Sequence, residues 1–290
     1  MFTFLSYTVI LFLNIYFRYY NKVKKVKLSE YIDQLLAMGK STFSLDDAQK
    51  ALEKSRAAVI LSIEHLKQQQ RIVSPAKGFY VIVLPEYRVY GCLPAEYFIP
   101  YLFDFWRQPY YACLVTAASY YGAAHQQPQV FQIMIRGYRA PIVCEKVKVD
   151  FVVNKYLEKN PTQEISTARS KLRISTPETT AMDLLNYPKH CGGLNRVVTI
   201  LDELKEVIKE KELATLLDIS PNHFWKQRLG YIFEKLGAEN LSQIIFHHIT
   251  KLKRVDYIQL DPSYKENGIA KFSKNSIWKV IENTNFESDL

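Results

Sequence analysis

The sequence predicts an α+β protein. An N-terminal winged helix-turn-helix domain, residues 28–90, is joined to a larger C-terminal mixed α/β domain, residues 91–290, and residues 1–27 form an apolar and basic extension. Three observations predict it. Apolar residues recur at helical spacing in three short runs between Leu28 and Leu66. The pattern then changes to period two on either side of a turn, over Arg71–Val83. Beyond Tyr110, strand-like and helix-like stretches follow one another, as in a sheet covered by helices.

In the first run Leu28, Tyr31, Ile32, Leu35 and Leu36 share a helical face, and Gly39 stands where the helix should stop. Ser44 precedes Leu45-Asp46-Asp47, an N-cap followed by acids in the first turn, where the helix dipole favours them. That second helix carries Leu45, Ala48 and Leu52. Ser55 caps a third, with Val59, Ile63 and Leu66 on one face. Arg71-Ile72-Val73 then reads as a strand, Ser74–Gly78 as a turn, and Phe79–Val83 as the return strand.

In such a module the third helix lies in the major groove and its first residues meet base edges. Lys54, Ser55, Arg56 and Ala57 are therefore candidate DNA-binding residues, with Lys77 at the wing tip. Ser41, Thr42 and Ser44 offer hydroxyls or helix-start amides to phosphate. Against this, winged helices also bind proteins. Ile60 and Leu61 fall on outer positions of the third helix, and residues 28–90 hold roughly eight basic against seven acidic residues.

A hydrophobic share of 48% with 13% aromatics excludes a disordered chain, and 290 residues suffice for two domains. The net charge of +9 suits a nucleic-acid partner. Part of it comes from Arg18, Lys22, Lys24, Lys25 and Lys27, read as a solvated linker. Phe2–Phe17 is apolar but short for a membrane span, and it lacks the basic flank and cleavage site of a signal peptide. It is read as an extension ahead of the domain rather than a membrane anchor. Cys92, Cys113, Cys144 and Cys191 have no metal-ligand spacing and are expected to be buried, reduced thiols of a cytoplasmic protein.

Pro94 and Pro100, with Tyr97, Phe98, Tyr101, Phe103, Phe105 and Trp106 around them, mark a junction helix with an aromatic face. In Tyr110–Gly122 the small residues Ala112, Ala117 and Ala118 suit a helix packed closely on a sheet. Phe131–Ile135 and Val147–Val153 read as strands. Leu172–Leu185 reads as strand, cap and helix, with Thr176 as N-cap and Pro177 at the first helical position.

These residues resemble the AbiEi family, the antitoxins of AbiE-type (type IV) toxin–antitoxin systems. The matching pieces are Ala117-Ala118-Ser119 with Tyr121-Gly122, His125-Gln126, Ile174–Asp183, Gly192-Gly193, Arg228-Leu229-Gly230-Tyr231, and a closing strand at Asn275–Asn283. The resemblance runs from Leu28 to about Asn283 and departs from the family at Ile60-Leu61. It implies a DNA-binding transcriptional autorepressor that binds inverted repeats in its own promoter. It also implies a C-terminal domain that counteracts a nucleotidyltransferase-like toxin without a stable complex, in abortive infection as a phage defence. Two alternatives stay open: an enzyme, a kinase or transferase acting on the toxin, and a protein-binding adaptor whose winged helix does not read DNA.

The residues offer little catalytic chemistry. Glu178 and Asp183 are five apart, so on a helix they point about 140° apart and form no carboxylate pair. Asp183 is expected at the surface or in a structural hydrogen bond. Glu203-Leu204-Lys205 has a nuclease spacing, but Val197–Leu217 reads as helix, with Val198, Leu201, Leu204 and Ile208 as its stripe. No glycine-rich phosphate loop, zinc motif or serine elbow is present, so no cofactor or metal is expected. Arg136, Arg139, Lys146, Lys148, Lys155, Lys159, Arg169, Lys171 and Arg173 stand in one segment and form either a second basic surface, for DNA or RNA, or a solvated sheet face.

Overall fold

The computed structural model describes residues 26–124, 128–263 and 272–284. The apolar run Phe2–Phe17, the basic residues Arg18, Lys22, Lys24 and Lys25, and His125-Gln126 lie outside the described residues. The chain divides into two compact units. One comprises residues up to Trp106 with Ile142–Val147, and the other Arg107–Pro141 with Lys148 onward.

The first unit opens with α1 (Leu28–Ala37), β1 (Thr42–Ser44), α2 (Leu45–Leu52) and α3 (Arg56–Gln68), followed by β2 (Ile72–Ala76) and β3 (Phe79–Ile82). Helix α1 stops at Met38, and Gly39 follows at φ +75°. The expected stripes are the buried ones: Leu28, Ile32 and Leu35, then Leu45, Ala48 and Leu52, then Val59, Ile63 and Leu66. Val26, the first described residue, joins their core. Two differences concern the strands. β1 pairs antiparallel with β3 and completes a β1-β3-β2 sheet. β2 also runs through Ser74-Pro75-Ala76, expected as turn, with a register shift between Val73 and Ala76 that accommodates the proline.

All four residues of β3 are buried because both of its faces are covered. Tyr80 and Ile82 meet the three-helix core. Phe79 faces the other way and meets Phe105 of α4 (Ala95–Trp106), with ring centroids 5.5 Å apart. The aromatic helix read as a junction therefore belongs to the first unit.

The second unit is built on a mixed sheet. Its elements are β4 (Tyr110–Ala112), α5 (Leu114–Tyr120) and β5 (Phe131–Ile135), then, past β6 (Ile142–Cys144, which packs with β2), β7 (Val147–Val153), β8 (Thr162–Ser166) and β9 (Lys171–Ser175). Within this unit the order is β7-β5-β4-β9-β8. β5 runs parallel to β7 and β4 parallel to β9, whereas β4–β5 and β8–β9 are antiparallel. Ala112, expected on a helix, is in β4, paired with Ile133 and Ile174.

Helices α6 (Pro177–Asn186), α7 (Leu194–Leu204), α8 (Glu210–Ile219), α9 (Phe224–Lys235) and α10 (Glu239–Thr250) follow. α9 packs on α6 and α10, and α8 on α6 and α10. Gly193 precedes α7 at φ +98°, in the left-handed half of backbone space that glycine tolerates. The helix expected over Val197–Leu217 is instead two, α7 and α8. Ile208 is extended and buried between them, and the backbone N–H of Lys209 donates to Glu178 Oε1 at 2.9 Å. The closing segment is a hairpin rather than one strand: β11 (Lys274–Asn275) is antiparallel to β12 (Val280–Ile281), which also pairs parallel with β10 (Ile258–Gln259).

Candidate functional site

The start of α3 is set by Ser55, whose hydroxyl accepts the Ala58 N–H at 3.4 Å. Because Val59, Ile63 and Leu66 turn inward, the outer face carries Arg56, Ala57, Ile60, Leu61, Glu64, His65 and Gln68, all exposed. Leu61 is 72% exposed. Arg56 Nη1 lies 3.5 Å from Asp46 Oδ1, but both side chains are mostly solvated and such a pair holds weakly. Lys54 is half-buried, and Lys77 is exposed at the tip of the β2–β3 hairpin, beside Gly78 at φ +80°.

The three hydroxyl residues divide. Thr42 is half-buried in β1. Ser41 is buried, and its backbone carbonyl accepts the Ile82 N–H at 2.8 Å, so the structure removes its hydroxyl from reach of a phosphate. Ser44 is the N-cap of α2, and both its N–H and its hydroxyl donate to Asp47 Oδ2, at 3.0 and 2.7 Å. A phosphate there would meet a carboxylate already in place, so Ser44 is a cap and not an anion ligand.

The second basic set does not gather on one surface. Arg173 and Lys171 share the outward face of β9, and Arg173 Nη2 lies 3.7 Å from its cross-strand partner Glu164. Arg169 lies in the turn before them. Lys148 stands on β7, three strands from β9 in the sheet order, about 14 Å at ordinary strand spacing. Lys146 belongs to the first unit, with its ammonium 5.8 Å from the Tyr90 ring centroid. Lys155 and Lys159 follow β7. Arg136 and Arg139 form a separate group with Arg107, Gln108 and Tyr138, which the sequence reading did not single out. The Arg136-Gly137-Tyr138-Arg139 run was the available signal.

The Ile174–Asp183 segment is a structural knot. Thr176 caps α6 by accepting the Thr179 N–H at 3.3 Å. The Ser175 and Thr180 hydroxyls are 2.7 Å apart, and Thr180 Oγ1 donates to the Thr176 carbonyl at 2.8 Å. Glu178 is buried and, as noted, holds Lys209. Asp183 is fully buried, not at the surface. Its Oδ2 accepts from the Tyr111 hydroxyl at 3.1 Å, which in turn accepts from Asn160 Nδ2 at 2.8 Å, while Oδ1 has no partner. Burial raises the Asp183 carboxyl to about 8. Burial also raises the neighbouring Cys113 and Cys191 thiols, which are inert as nucleophiles at neutral pH. All four cysteines are buried and none is in a disulfide.

Lys226 is another buried ionisable group. Its ammonium donates to the Leu217 and Ser220 carbonyls, at 2.6 and 2.8 Å, at the C-terminal end of α8, and lies 3.1 Å from His248 Nε2. Burial lowers it to about 8. It serves as a helix C-cap, the charge a helix dipole favours there. Gln227 and Arg228 donate to the carbonyls of Trp278 and Gln259, tying α9 to the closing strands. His247 Nδ1 donates to the Gln243 carbonyl of its own helix at 2.7 Å and is not paired with His248 in a chelate.

Residues 110–235 match the family model of the AbiEi antitoxin C-terminal domain. Among solved structures, the RV2827C protein from Mycobacterium tuberculosis is similar, with a TM-score of 0.63 at 15% identity over 87% of this chain and 90% of that one. At that identity the likeness is one of fold. No curated protein matches the chain.

Proposed function

From the match of residues 110–235 to the AbiEi antitoxin C-terminal domain we propose that the chain is the antitoxin of a type IV toxin–antitoxin system that also represses its own operon. The observation that carries the second half is the N-terminal unit, with three helices and a hairpin in winged-helix order and the outer face of α3 open to solvent. In this reading α3 enters the major groove of inverted repeats in the promoter. Lys54, Ser55, Arg56 and Ala57 meet the DNA there, and Lys77 and Thr42 contact its backbone. Ser41 and Ser44 leave the set for the reasons given above. The exposed Ile60-Leu61 pair suits thymine methyl groups better than phosphate. The C-terminal domain counters a nucleotidyltransferase-like toxin in the cytoplasm, without catalysis of its own and without a stable complex.

The test is binding of the full chain to a duplex of its own promoter. Affinity should fall linearly with salt on logarithmic axes. Arg56→Ala should weaken it by about 1–3 kcal/mol, and an unchanged affinity removes Arg56 from the reading set. Co-expression with the neighbouring toxin separates the two halves of the proposal: the Arg56→Ala variant should still rescue growth while it no longer represses. Among the described residues no helix is long and apolar enough to cross a membrane.

A further inference from the structure

A concavity of about 610 Å³ lies at one end of the central sheet of the second unit, and its lining includes Arg107, Gln108, Arg136, Tyr138 and Arg139. The topology explains it. Tyr110 of β4 pairs with Ile135 of β5, so the residues just before β4 and just after β5 meet at the same sheet end. No acid is among the lining residues. Gln108 Oε1 accepts from Arg139 Nε and Nη2, at 3.2 and 3.0 Å, which fixes the plane of that guanidinium. Arg136 makes only a loose solvated pair with Glu158, at 3.6 Å. Arg107 holds a left-handed backbone, φ +53°, which is unfavourable for a residue with a Cβ. Tyr138 is 84% exposed at the rim.

Three arginines line one hollow, and the planar forks of their guanidinium groups match phosphate oxygens. An exposed ring beside a phosphate site offers a face on which a base can stack. A duplex keeps its bases in the helix, out of reach of Tyr138. We infer that this concavity binds a nucleoside phosphate with an unstacked base, the phosphate against Arg107, Arg136 and Arg139 and the base on Tyr138. A single-stranded nucleic acid and a free nucleotide both present that chemistry. The inference does not depend on how α3 reads DNA.

The experiment uses the full chain and a fluorescein-labelled single-stranded RNA of mixed sequence, read by anisotropy, with AMP, inorganic phosphate and a duplex of the same sequence as competitors. The Arg107→Ala/Arg136→Ala double variant should bind the strand at least about tenfold more weakly. Tyr138→Ala should lose about fivefold or more, and Tyr138→Phe should retain wild-type affinity. All these side chains are on the surface, and an unchanged circular dichroism melt checks each fold. Competition by AMP assigns the site to free nucleotides as well, and failure of AMP assigns it to the strand alone. Equal binding by wild type and Tyr138→Ala, or displacement of the strand by inorganic phosphate at the concentration at which AMP displaces it, would each overturn the inference.

Discussion

Replacing Asp183 by Asn is expected to make the protein more stable in mild alkali and less stable in acid. Asp183 sits in the sheet–helix core with no exposed surface, and no cation is within its hydrogen-bonding reach. Its one partner is a tyrosine hydroxyl, too little to hold a carboxylate charge out of water. The folded protein therefore keeps the proton to about 8, whereas the unfolded chain releases it near 4. The unfolded state binds fewer protons between those values, so stability is greatest below about pH 4 and is lost as pH rises through the window. One group with that difference removes on the order of 5 kcal/mol by the upper end.

Asparagine has no proton to lose, so its stability should be flat where the wild type declines. The substitution brings two amide hydrogens that find no acceptor on the Oδ1 side, at about 1–3 kcal/mol. Below about pH 4 the variant should thus unfold at lower urea than the wild type, and above about pH 8 at higher urea, the curves crossing between. Lys226 and His248 titrate with the opposite sign, since burial lowers both, and taking the difference between the two proteins cancels them. Parallel curves across the whole range would mean that Asp183 is charged in the folded protein.

The sequence carried some of this and hid the rest for physical reasons. Caps and stripes were legible: Ser44, Ser55 and Thr176 cap the helices they precede, and Val59, Ile63 and Leu66 are the buried stripe of α3. Those signals are local, since a hydroxyl and an amide three residues apart settle a helix start wherever the helix goes. The strands β1 and β4 were missed because three residues hold barely one period of alternation. For Asp183 the structural hydrogen bond was foreseen as one alternative, but its burial was hidden for another reason. Residues 178–185 of α6 are buried on every side, yet they include Glu, two Thr and Asp, a composition that reads as a half-exposed helix. Only the third dimension shows that Tyr111 and Lys209 supply the partners. The scatter of the basic set was hidden likewise: neighbours in sequence were placed on strands that the sheet order separates.

Gly230 tests the packing of the closing hairpin, and its substitution by Ala is expected to destabilise the second unit by about 2–3 kcal/mol net. In isolation the change favours a helix by roughly 1 kcal/mol, since Gly230 lies inside α9 with an ordinary helical backbone. Packing reverses the sign. A methyl group there overlaps the six-membered ring of Trp278, with Cζ3 only 2.0 Å from the position of the added carbon. The ring has no room to yield. Its Nε1 donates to Glu234 Oε2 at 2.5 Å, Phe246 meets it edge-on with centroids 5.9 Å apart, and Gln227 Nε2 donates to the Trp278 carbonyl at 3.1 Å. The added methyl must therefore push the strand away from α9 or force Trp278 out of its rotamer. A cycle with Trp278→Leu isolates the contact. With the ring gone, Gly230→Ala should cost nothing or stabilise slightly, so the two substitutions should couple by more than about 1 kcal/mol. The readout is the urea midpoint of the four proteins. Additive losses would mean that α9 and the closing hairpin do not meet through this pair, and a gain from Gly230→Ala beside an intact Trp278 would mean that the conformational preference of the helix alone governs position 230.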